Sequence, residues 1–149
     1  MNRYLLISIV ALLTSHQIYS EQVPTLMDYS DKTFKLDLNK ADEADMVFIM
    51  TRCVGIYNLT EQFNPSDKEK RLEMGAMLLM ILEELHPDKN EDERFDIFLE
   101  MIEPAQDLYI EESQKHYIRY GERFNDLHIS DMAFCNLMLD PEAEEYLLK

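Results

Sequence analysis

The two cysteines, Cys53 and Cys135, are the residues whose chemistry constrains this chain most directly. An even number of cysteines in an oxidising compartment predicts a disulfide bond. Closing a loop of this length stabilises the fold by roughly 4 kcal/mol, because it restricts the freedom of the unfolded chain. The alternative is a pair of buried free thiols that pack as small apolar side chains.

Acid–base and metal-binding residue types form no catalytic pattern in this sequence. The histidines beyond the N-terminal segment are His86, His116 and His128. Glu112 and His116 are four residues apart, whereas di-iron helical bundles use Glu-x-x-His pairs with a three-residue step. The chain has no EF-hand loop, no glycine-rich phosphate loop and no nucleophile elbow. The sequence therefore predicts a non-enzymatic protein with no metal site and no cofactor.

One short motif, His86-Pro87-Asp88-Lys89-Asn90, lies between two predicted helices. Proline disfavours helical geometry at the residue before it, so a helix ends there. Aspartate and asparagine favour turns, and an asparagine is a good N-cap for the helix that follows. Turn and cap chemistry between antiparallel helices therefore accounts for this motif without any functional role.

The same motif, with a long apolar helix before it and a capped amphipathic helix after it, resembles the J-domain of Hsp70 co-chaperones. In that family the HPD tripeptide docks on Hsp70 and triggers ATP hydrolysis, so the resemblance implies an Hsp70-binding role for His86, Pro87 and Asp88. A J-domain carries a basic face on the preceding helix, which steers docking on an acidic surface. Here the corresponding outward positions hold no basic residue; they are Gly75, Ala76, Leu79, Met80 and Glu84.

Residues 1–20 have the three-part pattern of a cleavable secretory signal peptide. Arg3 precedes an apolar run, Tyr4–Leu13, and the polar stretch Thr14–Ser20 follows. The apolar run is about ten residues long, whereas a membrane-spanning helix needs ~20. The sequence therefore predicts a secreted or periplasmic protein with no membrane attachment after cleavage. This prediction favours a disulfide over free thiols.

The chain is strongly acidic, with a formal net charge of −16. Removing residues 1–20 makes the charge slightly more negative, because Arg3 is their only charged residue. Such a charge repels phosphate backbones and anionic lipid headgroups, so nucleic-acid and membrane-surface partners are disfavoured. It favours solubility and, among partners, a basic protein surface.

The segment that follows the signal peptide, 21–38, is predicted to form an extended arm or linker. Val23-Pro24 disfavours helix at its start. Three apolar residues then alternate with charged ones in a period of two, which is typical of a short strand or a strap over a bundle; they are Phe34, Leu36 and Leu38.

The remaining chain, 39–149, predicts one all-α domain, a compact bundle of four to five helices. The first helix starts at the N-cap Asn39 and runs to about Phe63. A Ser66–Glu69 capping box opens the second helix. Its charge-free stretch, Met74–Leu82, predicts the most buried helix of the bundle.

The later helices are delimited by caps and prolines. Asn90 with Glu93 opens the third helix, Pro104 kinks or ends it, and the pattern that resumes stops at Gly121. Ser130 opens a shorter helix, and a final turn follows Asp140. Because Cys53 and Cys135 lie on the inward faces of their helices, the disulfide joins the first helix to the penultimate one.

These features predict an exported, acidic, helical binding or interaction module with an unknown protein partner. The alternative is a J-domain-like co-chaperone that uses His86-Pro87-Asp88, with Hsp70 as its partner. A third hypothesis, an acid-responsive periplasmic chaperone, rests only on small size, charge, helicity and the two cysteines.

Overall fold

The structure, a computed structural model, describes residues 23–140. This part of the chain forms five α-helices and one 3-10 turn and contains no β-strand. The elements are α1 (Leu26–Phe34), the 3-10 turn (Leu38–Lys40), α2 (Glu43–Thr60), α3 (Asp67–Leu85), α4 (Glu91–Tyr120) and α5 (Asp126–Met138). The predicted all-α bundle of four to five helices is confirmed. The predicted signal peptide and the predicted turn after Asp140 lie outside the described residues.

The prediction of an extended arm over 21–38 is wrong where the structure describes that segment, because α1 occupies most of it. Thr25 and Asp28 form a capping box, in which each side chain accepts a hydrogen bond from the other residue's backbone N–H. The alternating apolar residues begin only at Phe34, the last residue of α1. Lys35 then adopts a left-handed conformation with φ 57°, which ends the helix.

Helix α2 is the centre of the bundle and packs against α3, α4 and α5. Most of its residues are buried, whereas α3 buries a single stripe of side chains. The prediction that the helix containing Met74–Leu82 is the most buried is therefore wrong. Met80, in the middle of that charge-free stretch, is 66% exposed. The structure covers only one face of α3 and leaves an apolar face open.

Two helices begin at other residues than predicted. Helix α2 starts after Asp42, whose carboxylate accepts the backbone N–H three residues on at 2.9 Å, while Asn39 lies within the 3-10 turn. Helix α5 starts after the cap Asn125 and not at Ser130. As a result Asp131, predicted at a helix start, lies in the interior of α5 and is fully buried.

Among the remaining predicted helix ends, the Ser66 cap is wrong, whereas the Asn90 cap and the Gly121 stop are confirmed. Ser66 makes no capping hydrogen bond at the start of α3, because its own backbone is already helical. Asn90 and Glu93 form the predicted capping box of α4, and Gly121 ends that helix with φ 75°. Pro104 neither starts nor stops a helix, since α4 continues through it.

Helices α3 and α4 run antiparallel on either side of the His86–Asn90 turn. Near the turn, the Glu83 carboxylate lies 3.8 Å from the Arg94 guanidinium. Further along, Gly75 faces the ring of Phe98. Residue numbers therefore rise along one helix as they fall along the other, which is the geometry of a helical hairpin.

Helices α2 and α4 cross closely at Gly55. A Cβ atom at this position would lie 3.0 Å from the Ala105 carbonyl carbon and 3.1 Å from the Ala105 Cβ. Because Gly55 has no side chain, the backbone of α4 can reach that of α2. At Gly75 an added Cβ would meet only the Phe98 ring, at an ordinary van der Waals distance of 3.4 Å.

We expect Gly55→Ala to lower the free energy of unfolding by about 1–3 kcal/mol, because the added methyl group forces α2 and α4 apart. The matched control, Gly75→Ala, is expected to be neutral or to stabilise the protein by up to about 1 kcal/mol, since alanine is the better helix former. Urea unfolding of both variants measures the difference. Equal effects of the two substitutions would show that the crossing is not tightly packed.

Candidate functional site

The structure joins Cys53 on α2 to Cys135 on α5 by a disulfide, with their Cα atoms 5.5 Å apart. Both side chains are fully buried. The two residues are 82 positions apart in the chain. Because the closed loop is long, the bond is expected to stabilise the fold by roughly 4 kcal/mol. It therefore has a structural role in the core.

Three buried polar residues from three helices meet close to the disulfide: Arg52 on α2, Tyr109 on α4 and Asp131 on α5. We call them the Arg52 cluster. The Arg52 guanidinium and the Tyr109 hydroxyl both donate to the Asp131 carboxylate. Arg52 also donates from Nε to the Tyr109 hydroxyl at 3.1 Å. A buried ion pair of this kind needs such additional hydrogen bonds to offset the desolvation of its charges.

The Arg52 cluster also holds the start of the described chain. The Leu26 backbone N–H, in the first turn of α1, donates to Asp131 Oδ1 at 2.6 Å. The Pro24 carbonyl accepts from Arg52 Nη1 at 2.7 Å. Asp131 thus supplies a negative charge at the positive end of the α1 dipole. The cluster thereby connects α1, α2, α4 and α5.

Burial shifts the ionisation of two groups in the cluster. It raises the pKa of the Asp131 carboxyl, although Arg52, the Tyr109 hydroxyl and the Leu26 N–H all favour the carboxylate. It also raises the pKa of the Tyr109 phenol, and the Asp131 charge adds to that rise. The phenol is therefore a permanent donor at physiological pH. Because these groups bind one another and the main chain, they hold the helices together.

His128 lies beside the cluster on α5 and is almost completely buried. Its Nε2 is 2.9 Å from the Tyr109 carbonyl oxygen, so this nitrogen carries the proton. Its Nδ1 lies at the Asn125 cap. Burial lowers the pKa of the His128 imidazole below its ordinary value, against the Tyr109 carbonyl and nearby acids that favour the charged ring.

The Arg52 cluster is not among the sites predicted from the sequence. A lone arginine within the apolar stretch Ile49–Tyr57 is the signal that could have revealed it, because a charge on a core helix needs a buried partner. The partner itself was hidden, since Asp131 follows a serine in a pattern typical of a helix start.

The His86-Pro87-Asp88 turn lies at the surface, with Pro87 and Asp88 exposed and His86 half-buried. Its hydrogen bonds are those of a turn and a cap. The Lys89 N–H donates to the His86 carbonyl at 3.2 Å, and the Asn90 carboxamide oxygen accepts from the Glu93 N–H in the first turn of α4. The turn chemistry expected from the sequence is therefore present, and it leaves the tripeptide accessible.

A groove lined by both apolar and charged side chains lies next to this turn, between the end of α3 and the start of α4. It encloses about 450 Å³, and its apolar lining, which we call its floor, is Leu79, Met80 and Phe95. We call this feature the α3–α4 groove. Phe95 is 47% exposed and stacks on Phe98 with ring centroids 5.7 Å apart. Met80 and Phe95 give the groove an apolar surface open to solvent.

The charged part of the lining, which we call the rim of the α3–α4 groove, is mostly acidic. Glu83, Glu91 and Asp92 line it together with one basic residue, Arg94. Arg94 is partly neutralised, because it lies 3.8 Å from Glu83 and donates to the Lys89 carbonyl at 2.8 Å. The only charged residues in the second half of α3 are Glu83 and Glu84. The open face that precedes the tripeptide is therefore apolar and acidic.

Other polar groups singled out in the sequence do not converge. The Glu112 carboxylate binds Lys115 at 3.1 Å, and His116 Nε2 lies 3.7 Å from Glu122. Within residues 23–140 no group of three or more His, Cys, Asp or Glu side chains is placed to hold a metal ion. None of the described helices is long and apolar enough to cross a membrane. Comparison of the chain with protein-family models, curated proteins and solved structures finds no match.

We expect Arg52→Met to lower the free energy of unfolding by about 3–5 kcal/mol, because it leaves the Asp131 carboxylate buried without its ionic partner. The double variant Arg52→Met/Asp131→Leu is expected to recover much of this loss, since both charges are gone. Arg71→Met is the matched control: its half-buried pair with Glu61 is expected to contribute at most about 1 kcal/mol. Denaturant unfolding of the wild type, Arg52→Met, Asp131→Leu, the double variant and Arg71→Met measures the coupling, and additive losses at the two buried positions would contradict it.

The lowered pKa of His128 predicts a loss of stability in mild acid. The unfolded chain binds a proton near pH 6.5, whereas the folded imidazole binds one only at lower pH, so stability falls as pH decreases below about 6.5. The slope contributed by this residue is at most about 1.4 kcal/mol per pH unit. We expect His128→Gln to lose less stability than the wild type between pH 7 and pH 5. Parallel pH profiles of the free energy of unfolding would contradict the prediction.

Proposed function

We propose that this protein is an exported, non-enzymatic binding module that holds a basic, amphipathic segment of a protein partner in the α3–α4 groove. The observation that carries the proposal is an open groove that combines two exposed apolar side chains, Met80 and Phe95, with an acidic rim of Glu83, Glu91 and Asp92. A helix with apolar side chains on one face and lysines or arginines at its edges matches both properties.

The apolar floor favours a protein partner. Exposed apolar residues that adjoin one another and are rimmed by polar residues are typical of interaction sites. Leu79, Met80 and Phe95 line the same groove. The unbranched Met80 side chain adapts to different apolar surfaces, as methionines do in grooves that take amphipathic helices. Burying one such side chain in a complex contributes about 1.5–3 kcal/mol.

The acidic rim favours a positively charged partner. With Arg94 engaged by Glu83 and by a backbone carbonyl, the charges left facing the groove are those of Glu91 and Asp92. The net charge of −16 extends the same field over the whole chain, so it speeds the approach of a basic partner and repels an acidic one.

The proposed location is secreted or periplasmic. The signal-peptide pattern of residues 1–20 supports it. The buried Cys53–Cys135 disulfide supports it as well, because such bonds persist in oxidising compartments.

A synthetic helix with leucines on one face and lysines on the other tests the proposal. We expect it to bind the mature protein, and Met80→Asp is expected to weaken binding at least tenfold, or by about 1.4 kcal/mol. Glu91→Lys is also expected to weaken binding, because the reversed charge in the rim repels the lysines of the peptide. This loss should grow as the salt concentration falls, since the repulsion is then less screened. Titration calorimetry measures both effects.

Two controls define specificity in that experiment. Ile129→Asp makes the same kind of change at an exposed apolar residue of α5, outside the groove lining, and should leave binding unchanged. The same peptide with glutamates in place of lysines should not bind. Equal binding of the two peptides, or equal binding by wild type and Met80→Asp, would overturn the proposal.

A Hsp70 co-chaperone is the second candidate, favoured by the exposure of Pro87 and Asp88 beside the open face of α3. It requires stimulation of an Hsp70 ATPase that is lost in His86→Gln. The binding-module proposal requires that His86→Gln bind the basic peptide as the wild type does. One variant therefore separates the two candidates.

A further inference from the structure

The exposed apolar surface of the α3–α4 hairpin continues beyond the groove. On α3, Leu72 and Met80 are 55% and 66% exposed, and the exposed Ala76 stands four residues from each of them. On α4, Phe95 and Leu99 are 47% and 49% exposed and also stand four residues apart. Residues with this spacing lie on the same side of a helix. Each helix therefore presents a row of apolar side chains, and we call the five residues the α3–α4 strip.

The two rows of the strip lie at the same level of the hairpin. Met80 and Phe95 both line the groove beside the turn. Further from the turn, Gly75 faces the Phe98 ring, so Leu99 lies within one helical turn of the level of Gly75. The far end of the strip, Leu72, lies about 12 Å from Met80 along α3, at 1.5 Å per residue. The strip thus extends the groove by about two turns.

A row of carboxylates accompanies the α4 side of the strip. Asp92 lines the groove, and Asp96 and Glu100 follow it at four-residue steps. Asp96 comes directly after Phe95 in the chain, and Glu100 directly after Leu99. All three carboxylates are exposed, and none takes part in an ion pair within residues 23–140. The apolar row of α4 therefore has a row of negative charge next to it.

The α3 side of the strip has no such row. No charged residue stands between Glu73 and Glu83 on this helix. The charge beside the strip is therefore one-sided, negative along α4 and neutral along most of α3. A helix that lies on the strip meets a row of carboxylates at only one of its two edges.

We propose that the strip binds a helix of a partner protein that is about three turns long, or ~11 residues, and carries lysines or arginines along one edge. The inference rests on the binding role proposed for the groove and defines the segment that fits it. Apolar residues of the partner, recurring every three or four positions, cover the strip. Its basic edge runs along the α4 carboxylates, which attract it and repel a helix with acidic edges.

Two synthetic helices of different length test the extent of this site. Both have leucines on one face and lysines along one edge, and a hydrocarbon cross-link holds each of them helical, because short helices are marginal in water. The shorter helix, of about seven residues, spans the groove, and the longer, of about fourteen, spans the whole strip. We expect the mature protein to bind the longer helix about tenfold more tightly or better in titration calorimetry, because it buries more apolar side chains.

The variant Leu99→Asp separates the strip from the groove. It is expected to weaken binding of the longer helix about tenfold. Binding of the shorter helix should stay unchanged, which also shows that the variant is folded. Met80→Asp should weaken binding of both helices. Ile118→Asp, a matched change at an exposed residue near the other end of α4, should weaken neither.

Charge variants test the basic edge. Glu100→Lys is expected to weaken binding of the longer helix, and the loss should grow as the salt concentration falls. Asp31→Lys, the matched change at an exposed residue of α1, should have little effect. A longer helix with lysines along both edges should gain little affinity over the one-edge helix at an ionic strength of about 0.15 M, where separated charges are screened.

Three outcomes would overturn the inference. The two helices could bind equally, Leu99→Asp could bind the longer helix as the wild type does, or the two-edge helix could bind about tenfold more tightly than the one-edge helix. In each case, loss of short-helix binding in Met80→Asp leaves the proposed function standing. If neither helix binds the mature protein, both proposals fail.

Discussion

The buried ion pair between Arg52 and Asp131 is the interaction on which the arrangement of this bundle depends. Removing these two charges from water costs desolvation free energy, so each needs hydrogen-bond partners in the core. Those partners come from α1 and α4 as well as from α2 and α5. An apolar core tolerates small rotations of its helices, whereas a guanidinium with several fixed acceptors does not. The pair therefore specifies how the helices are oriented around α2. The disulfide from the next residue, Cys53, reinforces the same contact between α2 and α5.

Local patterns in the sequence predict much of this fold because local interactions form it. The all-α class, the Asn90 cap, the Gly121 stop and the Cys53–Cys135 bond all follow from short-range signals or from cysteine number. Helix α1 was not predicted, since an alternating apolar pattern at its end resembles a strand. Burial of α3 was overestimated, because a charge-free stretch does not reveal how many of its faces have a neighbour.

The candidate site was predictable in part. The His86–Asn90 turn is visible as a motif, and the missing basic face of the preceding helix is visible as composition. The α3–α4 groove depends on which residues of two helices lie opposite each other, and that register is set by tertiary packing. The same limit applies to Arg52 and Asp131, which are separated by 79 positions and become partners only when α2 and α5 meet.

The hydrogen bond from Leu26 to Asp131 has a consequence for the order in which the chain can fold. Its two residues are separated by 105 positions, so α1 cannot take its final place until α5 has been synthesised. Until then the Arg52 side chain has neither its carboxylate nor the Pro24 carbonyl in position. A chain that is synthesised from its N-terminus therefore completes its core only after α5 has been made. Contacts of such long sequence separation also slow folding. The acidic character of the chain keeps neighbouring unfinished molecules apart during this interval.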